Sequence, residues 1–253
     1  MTMKKEKLVT NDQLVNFYYY PGKKQSLVFL HGWRSEAKVW FNIAQTLNDE
    51  GFNVYLIDLP GFGESPVPHY PFGVSDYAKI VVQFIDKIGI NKPIIIGHSF
   101  GGRIAIKLSS TYPDSVDKLI LTGAAGLVTQ KNKIAIMAKM ARLVKPLFKH
   151  RPLSSFRSKI YKMIGSEDYV MTPELKETYV KIVNEDLRPD LSKITAPTLL
   201  IWGEKDTETP VEYERIMREE IKNSNSVILD GAGHFAFIDK PREFLSSLNK
   251  FIK

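Results

Sequence analysis

The chain has 253 residues, a formal net charge of +7 at pH 7, 43% hydrophobic and 25% charged residues, and no cysteine. That length accommodates one large domain with a full core, and the composition is that of an ordinary water-soluble protein. The absence of cysteine excludes disulfides and thiolate metal sites. No run of about 18 apolar residues predicts a membrane span, and Met-Thr-Met-Lys-Lys-Glu-Lys at the N-terminus leads into no apolar leader, so a cytoplasmic location is expected.

Taken in order, the chain alternates strand-like and helix-like segments, the pattern of a mainly parallel sheet covered by helices on both faces, hence an α/β fold. Leu8–Thr10 and Leu14–Tyr20 read as an antiparallel pair turned by Asn11-Asp12. Ser26–Leu30 is an apolar strand ending at His31-Gly32-Trp33-Arg34, followed by a helix over Val39–Leu47. Val54–Ile57 closes on the glycine-rich Asp58-Leu59-Pro60-Gly61-Phe62-Gly63-Glu64-Ser65, and Tyr77–Ile88 has helical spacing. Pro93-Ile-Ile-Ile-Gly97 is a short strand apolar on both faces, and a helix is expected from Arg103 to about Ser110. Lys118–Thr122 is a strand ending at Gly123-Ala124-Ala125-Gly126.

The alternation then stops. From about Leu127 to Asp190 the pattern is helical without a credible strand, too long for an ordinary connection. It is expected to form a lid (127–190) inserted into a core of 1–126 and 191–253, over the carboxyl ends of the strands where open α/β sheets bind ligands. The strand rhythm resumes at 198–202, with a helix over Val211–Lys222, a strand over Ser226–Leu229 and a last helix from Arg242.

Gly97-His98-Ser99-Phe100-Gly101, between a buried strand and a helix, is a G-x-S-x-G in the context of a nucleophile elbow. A serine needs a base to take its proton and a third group to orient that base. Of five histidines, His98 adjoins Ser99 and is expected to point away, His31 to brace its loop, and His69 and His150 to lie at the surface. His234 follows the last strand in Asp230-Gly-Ala-Gly-His and is the expected base. Asp206, after the 198–202 strand, is the expected acid, with Glu204 and Asp230 as weaker candidates and Asp58 assigned to loop bracing. The strand after the elbow ends without a carboxylate, which closes that alternative. Oxyanion donors are expected from the backbone N–H groups of Phe100 and Trp33, with the Trp33 indole lining the acyl pocket.

His31-Gly-Trp33, Asp58-Leu-Pro-Gly-Phe-Gly-Glu-Ser65, Gly97-His-Ser-Phe-Gly-Gly102, Pro197-Thr-Leu-Leu-Ile-Trp-Gly-Glu-Lys-Asp206 and Gly231-Ala-Gly-His234, with Ser before Asp before His, resemble the α/β-hydrolase family over nearly the whole chain except the lid. His31-Gly-Trp-Arg-Ser-Glu-Ala-Lys-Val-Trp40 is similar to the equivalent loop of carboxylesterases that cleave pimeloyl-carrier-protein methyl ester. Ser-Phe-Gly-Gly at the elbow also resembles C–C bond hydrolases of ring-cleavage products. The resemblance implies a serine hydrolase with neither metal nor organic cofactor. Serine at the elbow argues against the haloalkane dehalogenases and epoxide hydrolases, which carry aspartate there.

Between Lys131 and Lys162 stand ten Lys or Arg and no Asp or Glu, interleaved with apolar residues near helical spacing. The segment reads either as a lid whose lysines stay in water or as a basic amphipathic face for an acidic carrier protein or an anionic lipid surface. No nucleic-acid motif accompanies the charge. The expected activity is hydrolysis of carboxylic esters of short to medium acyl groups, with Trp33, Met137 and Met140 against the substrate. Two alternatives stand beside it: a C–C hydrolase of diketones using Arg103, Arg142 or Arg157 for a carboxylate, and a ligand receptor on a hydrolase fold.

Overall fold

The structure, a computed structural model, describes residues 2–128 and 172–253. Eight strands form one sheet: β1 (Lys4–Thr10), β2 (Gln13–Tyr20), β3 (Ser26–Leu30), β4 (Asn53–Ile57), β5 (Ile94–His98), β6 (Lys118–Thr122), β7 (Thr198–Gly203) and β8 (Ser224–Leu229). Their order is β1-β2-β4-β3-β5-β6-β7-β8, with β1/β2 and β2/β4 antiparallel and every other pair parallel. The central parallel strands read as unbroken apolar runs because both faces are covered. Ile94 and Ile96 pack into one apolar cluster and Ile95 into the other, as do Leu27 and Phe29 against Val28 and Leu30.

One face is covered by α1 (Phe41–Asp49) and the other by α2 (Val74–Ile88) and α3 (Phe100–Thr111). In α2 the buried Tyr77, Ile80, Val81, Phe84 and Ile85 recur at spacings of three and four, the apolar stripe that the sequence pattern predicts. Its first turn begins at Val74, three residues before the predicted start, because the Asp76 carboxylate accepts the Gly73 N–H at 2.7 Å and so satisfies an orphan donor. Strand β1 begins at Lys4 rather than Leu8. Lys4 to Lys7 pair in register with Tyr19 to Asn16 on an exposed edge, where charged side chains discourage further pairing.

The described part of the predicted helical block, 172–190, contains a 3₁₀ turn at Pro173–Leu175, α4 (Lys176–Asn184) and the start of α5 (Arg188–Leu191). Met137, Met140, Arg142, His150, Arg157 and the basic stretch 131–162 lie outside the described residues. After β7 come α6 (Val211–Glu220), then β8, α7 (Ala236–Asp239) and α8 (Pro241–Ile252). Phe237 on α7 stacks on Trp40 with ring centroids 3.9 Å apart, and Phe244 on α8 packs against Phe237 at 5.9 Å. Both rings are fully buried, each worth roughly 2–3 kcal/mol, so the loop leading into α7 is pinned to the sheet. Among the described residues no helix is long and apolar enough to cross a membrane.

The strand order runs away from β3 through β4 on one side and through β5 on the other. Ligands of open α/β sheets sit outside the carboxyl ends at such a reversal. Asp58, at the carboxyl end of β4, braces that end: its oxygens accept the Ala37 N–H (2.8 Å), Asn16 Nδ2 (2.8 Å) and the Glu64 N–H (3.0 Å). A Cβ on Gly63 would stand 2.3 Å from the Asp58 carboxyl carbon, and φ there is +55°, so glycine is required. Asp58→Asn sets an amide donor against a donor and is expected to cost about 2 kcal/mol in urea unfolding.

Candidate active site

The β5–α3 connection places Ser99 at φ 52°, ψ −110°, a region that L residues rarely occupy. Hydrogen bonds hold it there: its N–H donates to the Thr122 carbonyl, and its own carbonyl accepts the N–H groups of Gly102, Arg103 and Ala125. The turn is tight enough that a Cβ on Gly101 would come within 2.2 Å of the Leu30 carbonyl oxygen, and one on Gly97 within 2.5 Å of that of Gly101. Only glycine lets β5 turn into α3 against β3. Phe100 opens α3, so its amide has no acceptor within the helix.

Asp206 follows β7 and His234 follows β8, and the two meet. His234 Nδ1 lies 2.9 Å from Asp206 Oδ2, with both residues buried. The remaining carboxylate capacity is filled by the N–H groups of Glu208 and Thr209 on Oδ1, each at 2.9 Å, and by Thr209 Oγ1 at 2.8 Å from Oδ2. Burial would raise the Asp206 carboxyl, but the hydrogen bonds from His234 and Thr209 outweigh it and hold it below the ordinary carboxylate range. An ionised Asp206 can only accept at Nδ1, so the tautomer it favours carries its proton there and turns Nε2 into the acceptor nitrogen. Thr209 is in turn fixed by its carbonyl, which accepts Trp202 Nε1–H at 2.7 Å.

Nε2 of His234 faces the carboxylate of Glu208, 3.5 Å away. Among the described residues no hydrogen bond joins Ser99 to His234. Such bonds are often long without substrate and tighten when it binds. The ring of His98, the residue before Ser99, lies 4.7 Å from that of His234.

Trp33, in the β3 loop, packs edge-on against Phe62 and Phe100, with centroids at 4.8 and 5.3 Å, and against Tyr179 of α4 at 5.2 Å. These rings form an aromatic wall beside the elbow, and the buried Trp33 indole N–H has no partner among the described residues.

Among the described residues, the other histidines and the alternative acids have these surroundings. His31 donates from Nδ1 to the Gly32 carbonyl and accepts the Leu59 N–H at Nε2, holding two strand-end loops together. His98 lies inside the protein, and its Nε2 donates to the His234 carbonyl at 3.1 Å. His69 is exposed, as are Glu204 and Asp230. Glu204 accepts the Gly231 N–H. Arg103 does not face a cleft: its Nη1 donates to the carbonyls of Ile182 and Glu185 at the end of α4, capping that helix. Burial lowers its pKa to about 10, against the pull of Glu185.

Two residues at this site escape the sequence reading, Thr209 and Glu208. The signal for Thr209 is in Asp206-Thr-Glu-Thr209, where an aspartate can accept the N–H groups two and three residues on. Nothing in the sequence places the Glu208 side chain.

Residues 25–169 match the family model described as alpha/beta hydrolase fold, and residues 176–248 match that of TAP-like proteins. The AB hydrolase superfamily protein YisY of Bacillus subtilis is 26% identical over 261 residues, 96% of this chain and 97% of its own. The 2-hydroxy-6-oxononadienedioate/2-hydroxy-6-oxononatrienedioate hydrolase of Klebsiella pneumoniae is 27% identical over 241 residues, covering 84% of this chain and 82% of that one. The esterase of Exiguobacterium antarcticum shares the fold with a TM-score of 0.79 at 23% identity, covering 98% of this chain and 99% of that one. With the eight-stranded sheet, the strand-end loops and a family match over more than half its length, the chain belongs to the α/β-hydrolase family and is a hydrolase built on that fold.

Proposed function

We propose that this chain is a serine carboxylic ester hydrolase with Ser99 as nucleophile, His234 as general base and Asp206 as the orienting acid. The observation that carries the reading is the Asp206–His234 hydrogen bond at the carboxyl edge of the sheet, next to a serine held at positive φ between β5 and α3. In this mechanism Ser99 Oγ attacks the ester carbonyl while Nε2 of His234 takes its proton. The N–H groups of Phe100 and Trp33 receive the developing oxyanion, Phe100 with the added field of the α3 N-terminus. His234 then gives the proton to the leaving alcohol, and a water activated by the same imidazole resolves the acyl-enzyme. Residues 127–190 act as the lid, and the aromatic wall of Trp33, Phe62 and Phe100 takes a short to medium acyl chain.

The relative from Klebsiella is a C–C bond hydrolase of a dicarboxylate, which makes diketone cleavage the competing reading. Two observations favour the ester. Arg103 is spent on the α4 carbonyls, and the charged side chain facing His234 Nε2 is an acid, which repels a carboxylate-bearing substrate. Hydrolysis of p-nitrophenyl esters from acetate to decanoate, run beside ring-cleavage diketones, tests this reading. Turnover on the esters with an optimum at short to medium length is expected. Turnover on diketones alone would overturn it, and tight ligand binding without turnover on either would put a receptor in its place.

A further inference from the structure

Glu208 stands beside the proposed catalytic histidine, two residues after Asp206. Its backbone is fixed, because its N–H donates to Asp206 Oδ1 at 2.9 Å. Its side chain is 66% exposed, yet Oε2 stands 3.5 Å from His234 Nε2. Among the described residues its ion-pair partner is that imidazole, which carries a charge only when protonated. A carboxylate therefore hangs over the site, and among the described residues no lysine or arginine pairs with it.

We propose that Glu208 selects substrates by the charge of their alcohol group, favouring esters of cationic alcohols over neutral ones and rejecting anionic ones. The inference rests on the esterase reading, in which Nε2 delivers a proton to the leaving alkoxide. Delivery requires that oxygen to come within about 3 Å of Nε2. The substituent it carries then lies within a few ångströms of the Glu208 carboxylate, on the solvent side of the histidine. A quaternary or primary ammonium two carbons from the ester oxygen falls where that carboxylate attracts it, and a carboxylate at the same place meets a like charge. The acyl group, bound toward the aromatic wall, is outside its reach. The proton inventory of the reaction is unchanged: Glu208 neither donates nor accepts, and acts only through its field.

The test uses three butyrate esters on the 253-residue chain: butyrylcholine, its neutral isostere 3,3-dimethylbutyl butyrate, and the anionic 3-butyryloxypropanoate. For the wild type, kcat/KM for the cationic ester is expected to exceed that for the neutral isostere roughly fivefold, the effect of a unit-charge pair at about 4 Å in a water-like medium. The anionic ester should fall below the isostere by a similar factor, and both ratios should shrink as salt is added. In Glu208→Gln the ratios should collapse toward one, and in Glu208→Lys they should invert. A general loss of stability or of histidine alignment would lower all three substrates together, whereas the ratios read the charge alone. Hydrolysis with ratios unchanged across the three proteins would overturn this inference and leave the esterase reading standing. Failure to hydrolyse any of the three would overturn both.

Discussion

Ser99→Ala is expected to lower kcat/KM for p-nitrophenyl esters about a thousandfold or more, while the melting temperature stays near that of the wild type. The two halves of that expectation have separate causes. Stability is little affected because the strained backbone at φ 52° is held by main-chain hydrogen bonds to Thr122, Gly102, Arg103 and Ala125, none of which uses the hydroxyl. Activity falls because no other hydroxyl occupies the elbow. Asp206→Asn should cost a comparable factor by a different route. The carboxylate accepts His234 Nδ1–H, so Nε2 is the basic nitrogen. An amide can present its NH₂ to Nδ1 instead, which moves the proton to Nε2 and removes the base; such a tautomer switch costs about 10⁴ in the serine-protease template. Wild-type activity in Ser99→Ala would sink the assignment of the nucleophile. Full activity in Asp206→Asn would mean that His234 is oriented by something else.

The parts of this molecule that can be read from sequence are those whose physics is local. Three isoleucines between Pro93 and Gly97 announce a strand buried on both faces, since no polar position is left to face water. The glycines around Ser99 announce a turn too close to β3 for a Cβ. Asp206 and His234 are 28 residues apart, but each follows a strand of a parallel sheet, and the topology alone brings those ends together. Where the chemistry is non-local the reading stops short. Nothing in Lys-Lys-Glu-Lys suggests a strand, because an edge strand gains its order from β2 and needs no apolar residue of its own. Arg103 reads as a free cation near the elbow; its partners, the carbonyls of Ile182 and Glu185, lie about eighty positions away and leave no mark in the sequence. Glu208 is one surface acid among many until the fold turns it toward His234.

Stability should fall as the solution is acidified below about pH 6.5, and much of that fall should vanish in His98→Gln. His98 is buried among Trp40, His234, Phe235 and Phe237, with ring centroids between 4.7 and 6.3 Å from its own. Burial pushes its pKa down to about 3, helped by the neighbouring His234 and His31 and opposed by the His234 carbonyl and Asp206. The unfolded chain takes up the proton near 6.5 and the folded one near 3, so between those values the unfolded state binds more protons. The contribution is therefore complete above about pH 7 and is lost as pH drops through that window, the loss amounting to roughly 4–5 kcal/mol at its lower end. By about pH 4.5 the loss should be roughly 2–3 kcal/mol. His31, also buried and also pushed down, adds in the same direction. Asp206, held below the ordinary carboxylate range, loses its contribution only under about pH 4, outside the range measured. Glutamine can place its amide N–H near Nε2 and keep the bond to the His234 carbonyl, but it does not titrate. Urea unfolding at several values between about pH 4.5 and 7.5 should give His98→Gln a lower stability at neutral pH and a visibly shallower slope. Parallel slopes for the two proteins would show that the acid sensitivity resides elsewhere and that His98 keeps no suppressed proton.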